Sequence, residues 1–207
     1  MNNQDKWIEF AIEIQSIAQA GLTYGKDIYD MERYTRLREI AAEMLACKTD
    51  LPVEKVTDLF CNETGYQTPK IDTRAAVFQE NKILLVREND GRWTLPGGWC
   101  EVNLSVAENT VKETYEEAGI HVTADELIAV QYRNKHNVPI YVYGIVKIFV
   151  LCTAVDGTFV PNSETTESRY FGKEEIPADL AAEKVNLEQI MMCFEANEAE
   201  HWKPLFD

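Results

Sequence analysis

The chain has 207 residues, of which 45% are hydrophobic and 10% aromatic, enough for one ordinary domain and a small additional one. Its 35 acidic residues outnumber its 20 basic ones and give a formal net charge of -15, which makes polymeric nucleic acid and anionic membrane surfaces unfavourable partners. The composition predicts a globular protein rather than a disordered one.

The five cysteines are odd in number, lie far apart and form no C-x-x-C pair. This usage favours reduced thiols over a disulfide framework or a zinc site, and it predicts a cytoplasmic protein. The N-terminal stretch MNNQDKWIEFAIEIQSIAQAGL is interrupted by Glu9 and Glu13, which predicts an amphipathic helix and no signal peptide. No apolar stretch approaches the ~20 residues that cross a bilayer.

The first third of the chain has the periodicity of three short helices. Apolar residues recur every three or four positions over 7–18, and Gly21 is a stop signal. Asp30 is a candidate cap for a second helix, and Pro52 suits the first turn of a third. Because each helix has one apolar face, the three need one another or a partner surface. We therefore predict a helical domain over residues 1–66.

From residue 67 to residue 207 the pattern changes to that of a mixed α+β domain. Apolar runs separated by Gly, Asn and Asp turns predict strands. The predicted strands are 73–78, 82–88, 92–96, 126–133, 140–152 and 168–172, and a final helix is predicted over 186–198.

A further helix is predicted between the third and fourth of these strands. Ser105 followed by Glu108 is a capping-box pattern, and Gly119 is a stop signal, so the helix begins near Val106. Helical phase predicts two separate arcs on this helix. The core-facing arc is Ala107, Val111, Thr114 and Ala118, and the other arc is Glu113, Glu116 and Glu117.

Three carboxylates so close together repel one another unless water screens them or a cation binds between them. A solvated helix face is the simpler interpretation of E-x-x-E-E alone. The preceding Gly97 and Gly98 change this, because glycine allows a tight approach to the helix and can direct a carbonyl at the same place. Oxygen ligands of this kind suit Mg²⁺ or Mn²⁺, which share their shells with substrate phosphates.

The stretch from Gly98 to Ile120 resembles the Nudix box, G-x5-E-x7-R-E-U-x-E-E-x-G-U, where U is aliphatic. Three positions depart from the pattern: Leu104 replaces a glutamate, Lys112 replaces the arginine, and Thr114 replaces an aliphatic residue. The matching residues are Gly98, Glu113, Glu116, Glu117, Gly119 and Ile120.

The likeness extends over nearly the whole chain. The stretches GLTYGKDIYDMERYTRLREIAAEML, TPKIDTRAAVF, WTLPGGW, ETTESRYF and LFD resemble a bacterial subgroup with a helical Nudix N-terminal domain, which includes ADP-ribose and CDP-choline pyrophosphatases. That resemblance implies an α+β Nudix α/β/α sandwich with a mixed sheet behind a small all-helical domain. It also implies a homodimer in which the helical domain helps to build the site.

The resemblance further implies a hydrolase that splits the P-O-P bridge of a nucleoside diphosphate linked to another moiety. Metal binding is implied for Glu113, Glu116, Glu117 and the Gly97 carbonyl, and the same glutamates are the expected catalytic residues. The general base is open: it is a box glutamate, Glu164 or Glu167, and the last two are equally well explained as a solvated loop.

Substrate contacts are less specific in the sequence. Arg74, Arg87 and Arg92 flank the first strands and are candidates for phosphate binding, although such arginines are commonly surface charges. Trp99 is a candidate to stack on a base or to contact a choline cation, although aromatic residues mostly serve burial. Trp93, Tyr132, Tyr141 and Tyr143 share this interpretation.

An alternative function is a nucleotide-sensing regulator with a Nudix fold and no turnover. Two features oppose it. All three box-helix glutamates are present, and residues 1–66 contain 12 acidic and 7 basic residues, a net charge of -5 that suits DNA poorly.

The departures at Leu104 and Lys112 lead to one structural hypothesis. Glu101 is the nearest acid in the loop before the helix, and we predict that it pairs with Lys112 and holds the loop, while Leu104 packs ahead of the Ser105 cap. The simpler alternative places both charges in solvent.

Overall fold

The structure is a computed structural model that describes residues 3–49 and 51–207. The chain divides into two compact units. One consists of Met1–Pro69 with Ile140–Gly144, and the other of Lys70–Pro139 with Ile145–Asp207. Within the described ranges, no helix is both long and apolar enough to cross a membrane.

Among its described residues, the first unit contains three helices, α1 (Asn3–Tyr24), α2 (Ile28–Ala46) and α3 (Val53–Phe60). Helix α1 continues past Gly21, which is a packing position: a Cβ there would lie 2.4 Å from the Tyr34 ring of α2. The cap of α2 is Asp27, whose side chain accepts hydrogen bonds from the amides of Tyr29 and Asp30. The predictions of a stop at Gly21 and a cap at Asp30 are therefore wrong.

The core of the helical unit is built largely from small residues. Its buried members are Ala11, Ala41, Ala42, Leu45, Val56, Phe60 and Cys61. The large apolar side chains of α1 lie elsewhere: Trp7, Phe10 and Ile17 are 53%, 50% and 54% exposed. Helix α1 thus carries a second apolar stripe, which the core of its own unit does not cover.

The second unit is built on a sheet of seven strands among the described residues. The strands are β1 (Lys70–Gln79), β2 (Lys82–Glu88), β3 (Trp93–Thr94), β4 (Ile120–Tyr132), β5 (Ile145–Gly157), β6 (Thr165–Phe171) and β7 (Leu205–Phe206). Their order is β3-β2-β1-β5-β4-β7, with β6 also paired to β2. Strand β1 is parallel to β5 and antiparallel to β2, so the sheet is mixed.

Each face of the sheet is covered by a helix. Helix α4 (Val106–Ala118) packs over Ala75, Val77 and the β2 residues that point to the same side. Helix α6 (Leu187–Glu198) packs on the opposite face over Ala76 and Phe149. This arrangement confirms the predicted α+β class, with a mixed sheet between helices after a helical N-terminal region.

Some strand limits differ from the sequence prediction. The strand predicted over 140–152 begins at Ile145, because 140–144 belongs to the helical unit, and it continues to Gly157. Strand β4 begins at Ile120 rather than at residue 126, since Ile120 pairs with Gly157 as soon as α4 ends. The short helix α5 (Arg133–His136) and strand β7 were not predicted.

Candidate active site

The ends of α4 are set by local chemistry, as predicted. The Ser105 side chain accepts a hydrogen bond from the Glu108 amide, and the Glu108 carboxylate accepts one from the Ser105 amide at 2.8 Å. Gly119 ends the helix in the left-handed conformation, with φ at 67°. The predicted capping box and helix stop are confirmed.

The buried face of α4 agrees with the prediction at Thr114 and Ala118, and Val111 packs against the core, but it differs at Ala107. Ala107 is exposed, whereas the buried residues are Asn109, Thr110, Thr114, Glu117 and Ala118. The two threonine hydroxyls donate to carbonyls four residues earlier, at 2.7 Å, so both can be buried without other partners. The predicted separation of the core arc from the glutamates therefore fails at Glu117, which is buried, but not at Glu116, which is exposed.

The three glutamates consequently occupy three different environments. The side chain of Glu116 is 53% exposed and that of Glu113 is 13% exposed, while Glu117 as a residue is 7% exposed. The helix thus presents a solvated carboxylate at Glu116, a mostly buried one at Glu113 and a buried one at Glu117.

Glu117 is held by the glycine loop before the helix. Its carboxylate accepts a hydrogen bond from the Gly97 amide at 2.9 Å. Burial raises the pKa of Glu117 to about 7, against the opposing effects of the Arg74 charge and the Gly97 hydrogen bond; Glu113 and Glu88 raise it further. A carboxylate in this position favours binding a cation or a proton.

Burial also raises the pKa of Glu113. Lys112 opposes this effect, and the negative charges of Glu116 and Glu164 add to it. Glu113 and Glu117 are therefore two adjacent acids whose charged forms the protein itself does not fully compensate.

The two glycines of the loop make different close approaches. At Gly97, where φ is +140°, a Cβ would lie 1.9 Å from the Thr73 carbonyl oxygen of β1. At Gly98, a Cβ would lie 2.7 Å from Oε2 of Glu113. Both glycines thus approach the helix, Gly98 at Glu113 and Gly97 through its amide at Glu117, and Gly97 also packs on the sheet.

This difference predicts that alanine at Gly97 mainly lowers stability, whereas alanine at Gly98 mainly lowers turnover. Gly97→Ala forces a side chain onto backbone and a rare φ, so we expect it to lower the free energy of unfolding by about 1–3 kcal/mol or more. Gly98→Ala meets only the end of a flexible carboxylate, so we expect near-normal stability and slower turnover as Glu113 is displaced. Denaturant unfolding and steady-state kinetics of both variants test this pair, and equal losses of stability would contradict it.

Lys112 lies among three acids. Its ammonium is 3.3 Å from Oε1 of Glu101 and 3.5 Å from Oε1 of Glu113, and it hydrogen-bonds Glu116. That last hydrogen bond is the main reason that the pKa of Lys112 is raised. The predicted contact between Glu101 and Lys112 is confirmed. Leu104, which precedes the Ser105 cap, is half-buried.

We expect this pair to hold the loop without being needed for turnover. A double-mutant cycle on Glu101→Gln and Lys112→Met should give a coupling free energy of ~0.3–1 kcal/mol in stability, as for other partly exposed pairs. Coupling below about 0.3 kcal/mol with unchanged turnover would show that the contact has no structural role.

The loop before β6 brings Glu164 to the same place. Its charge acts on Glu113, and it lines a cavity of about 320 Å³ together with Glu88, Glu117 and Lys184. Glu167, the other candidate base, lies on β6 with its carboxylate 3.8 Å from the Arg87 guanidinium. The structure therefore places Glu164, and not Glu167, with the box glutamates.

Arg74 lies beside the glutamates, but within a buried ion cluster. It donates to both carboxylate oxygens of Asp72, at 2.8 and 3.1 Å, and to the Leu95 carbonyl at 3.2 Å. Lys147 also contacts Asp72. Burial alone would raise the pKa of Asp72, but the two cations hold it below its usual value; burial and Arg74 lower the pKa of Lys147 to about 8.

The other predicted substrate residues have separate surroundings. All three nitrogens of the Arg92 guanidinium donate to Asp90 or Glu183. Arg87 donates to the Gly91 carbonyl at 2.8 Å. A phosphate would have to displace partners at Arg74 and Arg92, whereas the side chain of Arg87 is 41% exposed. The substrate role of all three stays a prediction.

Among the predicted aromatic contacts, Trp93 is a core residue. It is 5% exposed, and its ring packs edge-on against Phe171 with centroids 4.8 Å apart. Trp99 is 49% exposed and bridges to Asp72 through the backbone, so it remains available to a ligand.

The acidic side chains do not form a ready-made metal cage. In the part of the chain that the structure describes, no group of three or more His, Cys, Asp or Glu residues is arranged to hold a metal ion. Glu116 hydrogen-bonds Lys112 and Glu117 accepts from the Gly97 amide, so both carboxylates already have partners within the protein. The metal-ligand set of Gly97, Glu113, Glu116 and Glu117 therefore stays a prediction.

Sequence reasoning missed one structural residue of this site. Asn109 is fully buried, donates to the Thr73 hydroxyl at 2.9 Å and accepts from the Glu101 amide at 3.1 Å. It joins the loop, the helix and β1. No local signal marks it, because a single asparagine on a helix is equally compatible with solvent.

Known families match both parts of the chain. Residues 5–60 match a family described as a UDP-X-like, N-terminal oligomerisation domain. Residues 68–190 match the NUDIX domain.

Individual relatives and solved structures agree. A Bacillus subtilis (strain 168) protein named "Putative ADP-ribose pyrophosphatase YjhB" is 44% identical over 99% of this chain and 98% of its own. The crystal structure of an ADP-ribose pyrophosphatase from Streptococcus suis 89-1591 is 49% identical, covering 68% of this chain and all of that one, with a TM-score of 0.63.

The crystal structure of a UDP-X diphosphatase is 31% identical over 98% of both chains, also with a TM-score of 0.63. These matches span both units, and the NUDIX match includes the glycine loop, the glutamate helix and the Glu164 loop. This chain belongs to the Nudix hydrolase family.

Proposed function

We propose that the protein is a divalent-metal-dependent pyrophosphohydrolase. It cleaves the P-O-P bridge of a nucleoside diphosphate linked to another moiety and releases a nucleoside monophosphate and the phosphorylated second moiety. The observation that carries this proposal is the pair of desolvated acids, Glu113 and Glu117: Glu117 lines a cavity together with Glu164, and the charge of Glu164 acts on Glu113.

The residues of the site fit a hard divalent cation. Their donors are carboxylate oxygens, and burial raises the pKa of both Glu113 and Glu117. A cation between these side chains would relieve the repulsion that Glu116 and Glu164 add to Glu113. Mg²⁺ and Mn²⁺ are the ions that prefer this donor set. We propose Glu113, Glu116, Glu117 and the Gly97 carbonyl as their ligands.

When bound, such an ion neutralises charge on the phosphate oxygens and so favours attack on phosphorus. The side chains of the protein supply the proton transfer. A water oxygen forms a new bond to one phosphorus while its proton passes to a carboxylate. The bond from that phosphorus to the bridging oxygen breaks, and the bridging oxygen leaves with the second phosphate.

We propose Glu164 as the carboxylate that accepts this proton. It lines the same cavity as Glu117, and its charge acts directly on Glu113. Glu167 is engaged by Arg87 and is less suitable. Glu164 is exposed, which allows it to pass the proton on to solvent.

ADP-ribose and CDP-choline are the substrate types that we propose first. The names of the Bacillus subtilis and Streptococcus suis relatives support ADP-ribose, and the name of the UDP-X diphosphatase structure supports including compounds in which UDP is linked to another moiety. The test is a panel of these compounds with Mg²⁺ and Mn²⁺, with products identified by mass spectrometry. A nucleoside diphosphate among the products, or no hydrolysis of any compound, would contradict the proposal.

We further propose that residues 1–66 form a dimerisation domain that contributes to the site, and that residues 67–207 form the hydrolase domain. The match of residues 5–60 to an oligomerisation domain supports the first assignment. The protein is proposed to be cytoplasmic, which its five free cysteines support, three of them being buried.

The exposed stripe of α1 predicts where the dimer forms. Trp7, Phe10 and Ile17 are each about half exposed, which is unfavourable for a monomer in water. We expect light scattering to give twice the mass of one chain, and Ile17→Asp to give a monomer. Val155→Asp, a matched change at a 62% exposed residue of the other unit, should remain a dimer. A monomeric wild-type protein would contradict this prediction.

A further inference from the structure

The loop that carries Glu164 is fastened to the backbone of the glutamate helix. Asn162 Nδ2 donates to the Glu116 carbonyl at 2.9 Å, and the Thr165 hydroxyl donates to the Glu117 carbonyl at 2.6 Å. These two carbonyls lie in the last turn of α4, where four carbonyls have no partner within the helix. The loop therefore supplies hydrogen-bond donors to the carbonyls of two residues whose side chains are proposed to bind the metal.

The amide of Asn162 is fully used by four hydrogen bonds. Its Nδ2 also donates to the Thr165 hydroxyl at 2.8 Å. Its Oδ1 accepts from the amides of Glu164 and Thr165, both at 2.9 Å. Glu164 thus stands between two anchored residues, so its backbone has little freedom to rotate away from the cavity.

A third anchor holds the opposite side of the loop. Asn89, in the turn between β2 and β3, donates from Nδ2 to the Ser163 carbonyl at 2.5 Å. Both Asn89 and Ser163 line the cavity with Glu117 and Glu164. The loop is therefore fixed between the turn and the helix, and not only to itself.

We propose that Asn162 and Thr165 are positioning residues for catalysis, which set the distance between Glu164 and the box glutamates. This inference rests on the proposed function, because it assumes that Glu164 accepts the proton. Misplacing a catalytic base by about 1 Å can lower the reaction rate by about 10²-fold. Thr165 is fully buried, so its hydroxyl is shielded from water and hydrogen-bonds the Glu117 carbonyl instead.

The test uses the full-length protein with its divalent metal and the best substrate of the panel. Asn162→Ala is expected to lower kcat by about 10- to 100-fold while KM changes less than about 2-fold, because the loop moves the base and not the substrate. Thr165→Val keeps the shape of the side chain but removes the hydroxyl, and it is expected to lower kcat similarly. Thr165→Ser keeps the hydroxyl and is expected to have most of the wild-type kcat. Val160→Ala, at a 69% exposed residue of the same loop, is the matched control.

Glu164→Gln separates positioning from a general loss of structure. If Asn162 acts through Glu164, Asn162→Ala should lower kcat in the wild-type background and have little further effect in the Glu164→Gln background. Equal losses in both backgrounds, or a kcat within about 2-fold of wild type, would overturn the inference. Failure of Thr165→Ser to recover activity would overturn the role of the hydroxyl.

Hydrogen exchange gives a readout that does not depend on activity. The amides of Glu164 and Thr165 are expected to exchange slowly in the wild type and faster in Asn162→Ala. If Glu164→Gln keeps full kcat, the proposed base is wrong and the catalytic part of the inference is overturned with it. Unchanged exchange in Asn162→Ala would overturn the anchoring itself, even if hydrolysis of the panel is as proposed.

Discussion

Replacement of Glu117 by glutamine is expected to lower kcat by about 10²-fold or more with little change in fold. The substitution keeps the volume of the side chain and an oxygen that can accept the Gly97 amide hydrogen bond. It removes the negative charge from the most deeply buried of the three glutamates. Steady-state kinetics measure the effect, and Glu126→Gln, an exposed change on β4, is the control for the lost charge.

The same variant should be more stable than the wild type in metal-free buffer at pH 8. Because burial raises the pKa of Glu117 to about 7, the folded protein keeps a proton that the unfolded chain releases between pH 4.5 and 7. The free energy of unfolding of the wild type therefore falls across that window, by up to ~3 kcal/mol for this group. Glutamine does not titrate and lacks this fall.

Denaturant unfolding at pH 5 and pH 8 measures the difference between the two proteins. We expect the difference to grow in favour of Glu117→Gln as the pH rises. A variant that is inactive and also less stable at pH 8 would show that Glu117 is a structural residue, and wild-type kcat in the variant would remove Glu117 from the catalytic machinery.

The limits of the glutamate helix could be predicted because their causes are local. Ser105, Glu108 and Gly119 act within one turn of each helix end. The burial of Glu117 could not be predicted in the same way, since helical phase groups it with Glu113 and Glu116. Its burial depends on the Gly97 loop, which lies 20 residues earlier in the chain.

The helical unit shows the same limit at the level of packing. The apolar spacing of α1 is real, but it cannot tell which apolar residues pack inside the unit. Ala11 and Ala18 are fully buried, whereas Trp7, Phe10 and Ile17 are not. Small residues allow α1 and α2 to lie close together, so the partner helix decides which face is the core.

The polar residues that organise the site carry the weakest sequence signals. Asn109 and Asn162 make their decisive contacts with residues 36 and 46 positions away. Lys147 is different, because a lysine inside the apolar run IVKIFV contradicts the pattern of a buried strand and so marks a buried partner. That partner, Asp72, lies opposite it in the parallel pairing of β1 and β5.

Removal of divalent metal is expected to abolish turnover. Glu113 and Glu117 are desolvated acids with raised pKa values, and without a cation they repel the phosphates of a substrate. Excess EDTA should stop hydrolysis, and Mg²⁺ or Mn²⁺ added beyond the chelator should restore it. EDTA that has been saturated with Mg²⁺ beforehand is the control, since it adds the chelator without removing metal.

Stability provides a second test of the metal that does not involve substrate. An ion that binds only the folded protein raises the free energy of unfolding by about 2.7 kcal/mol at 100 times its Kd. We expect this gain for the wild type and for Glu126→Gln, and its loss when Glu113→Gln and Glu117→Gln are combined. Full turnover in excess EDTA would contradict the metal proposal. If instead the doubly substituted protein keeps the gain, the ion binds elsewhere, because both desolvated charges that would attract it have been removed.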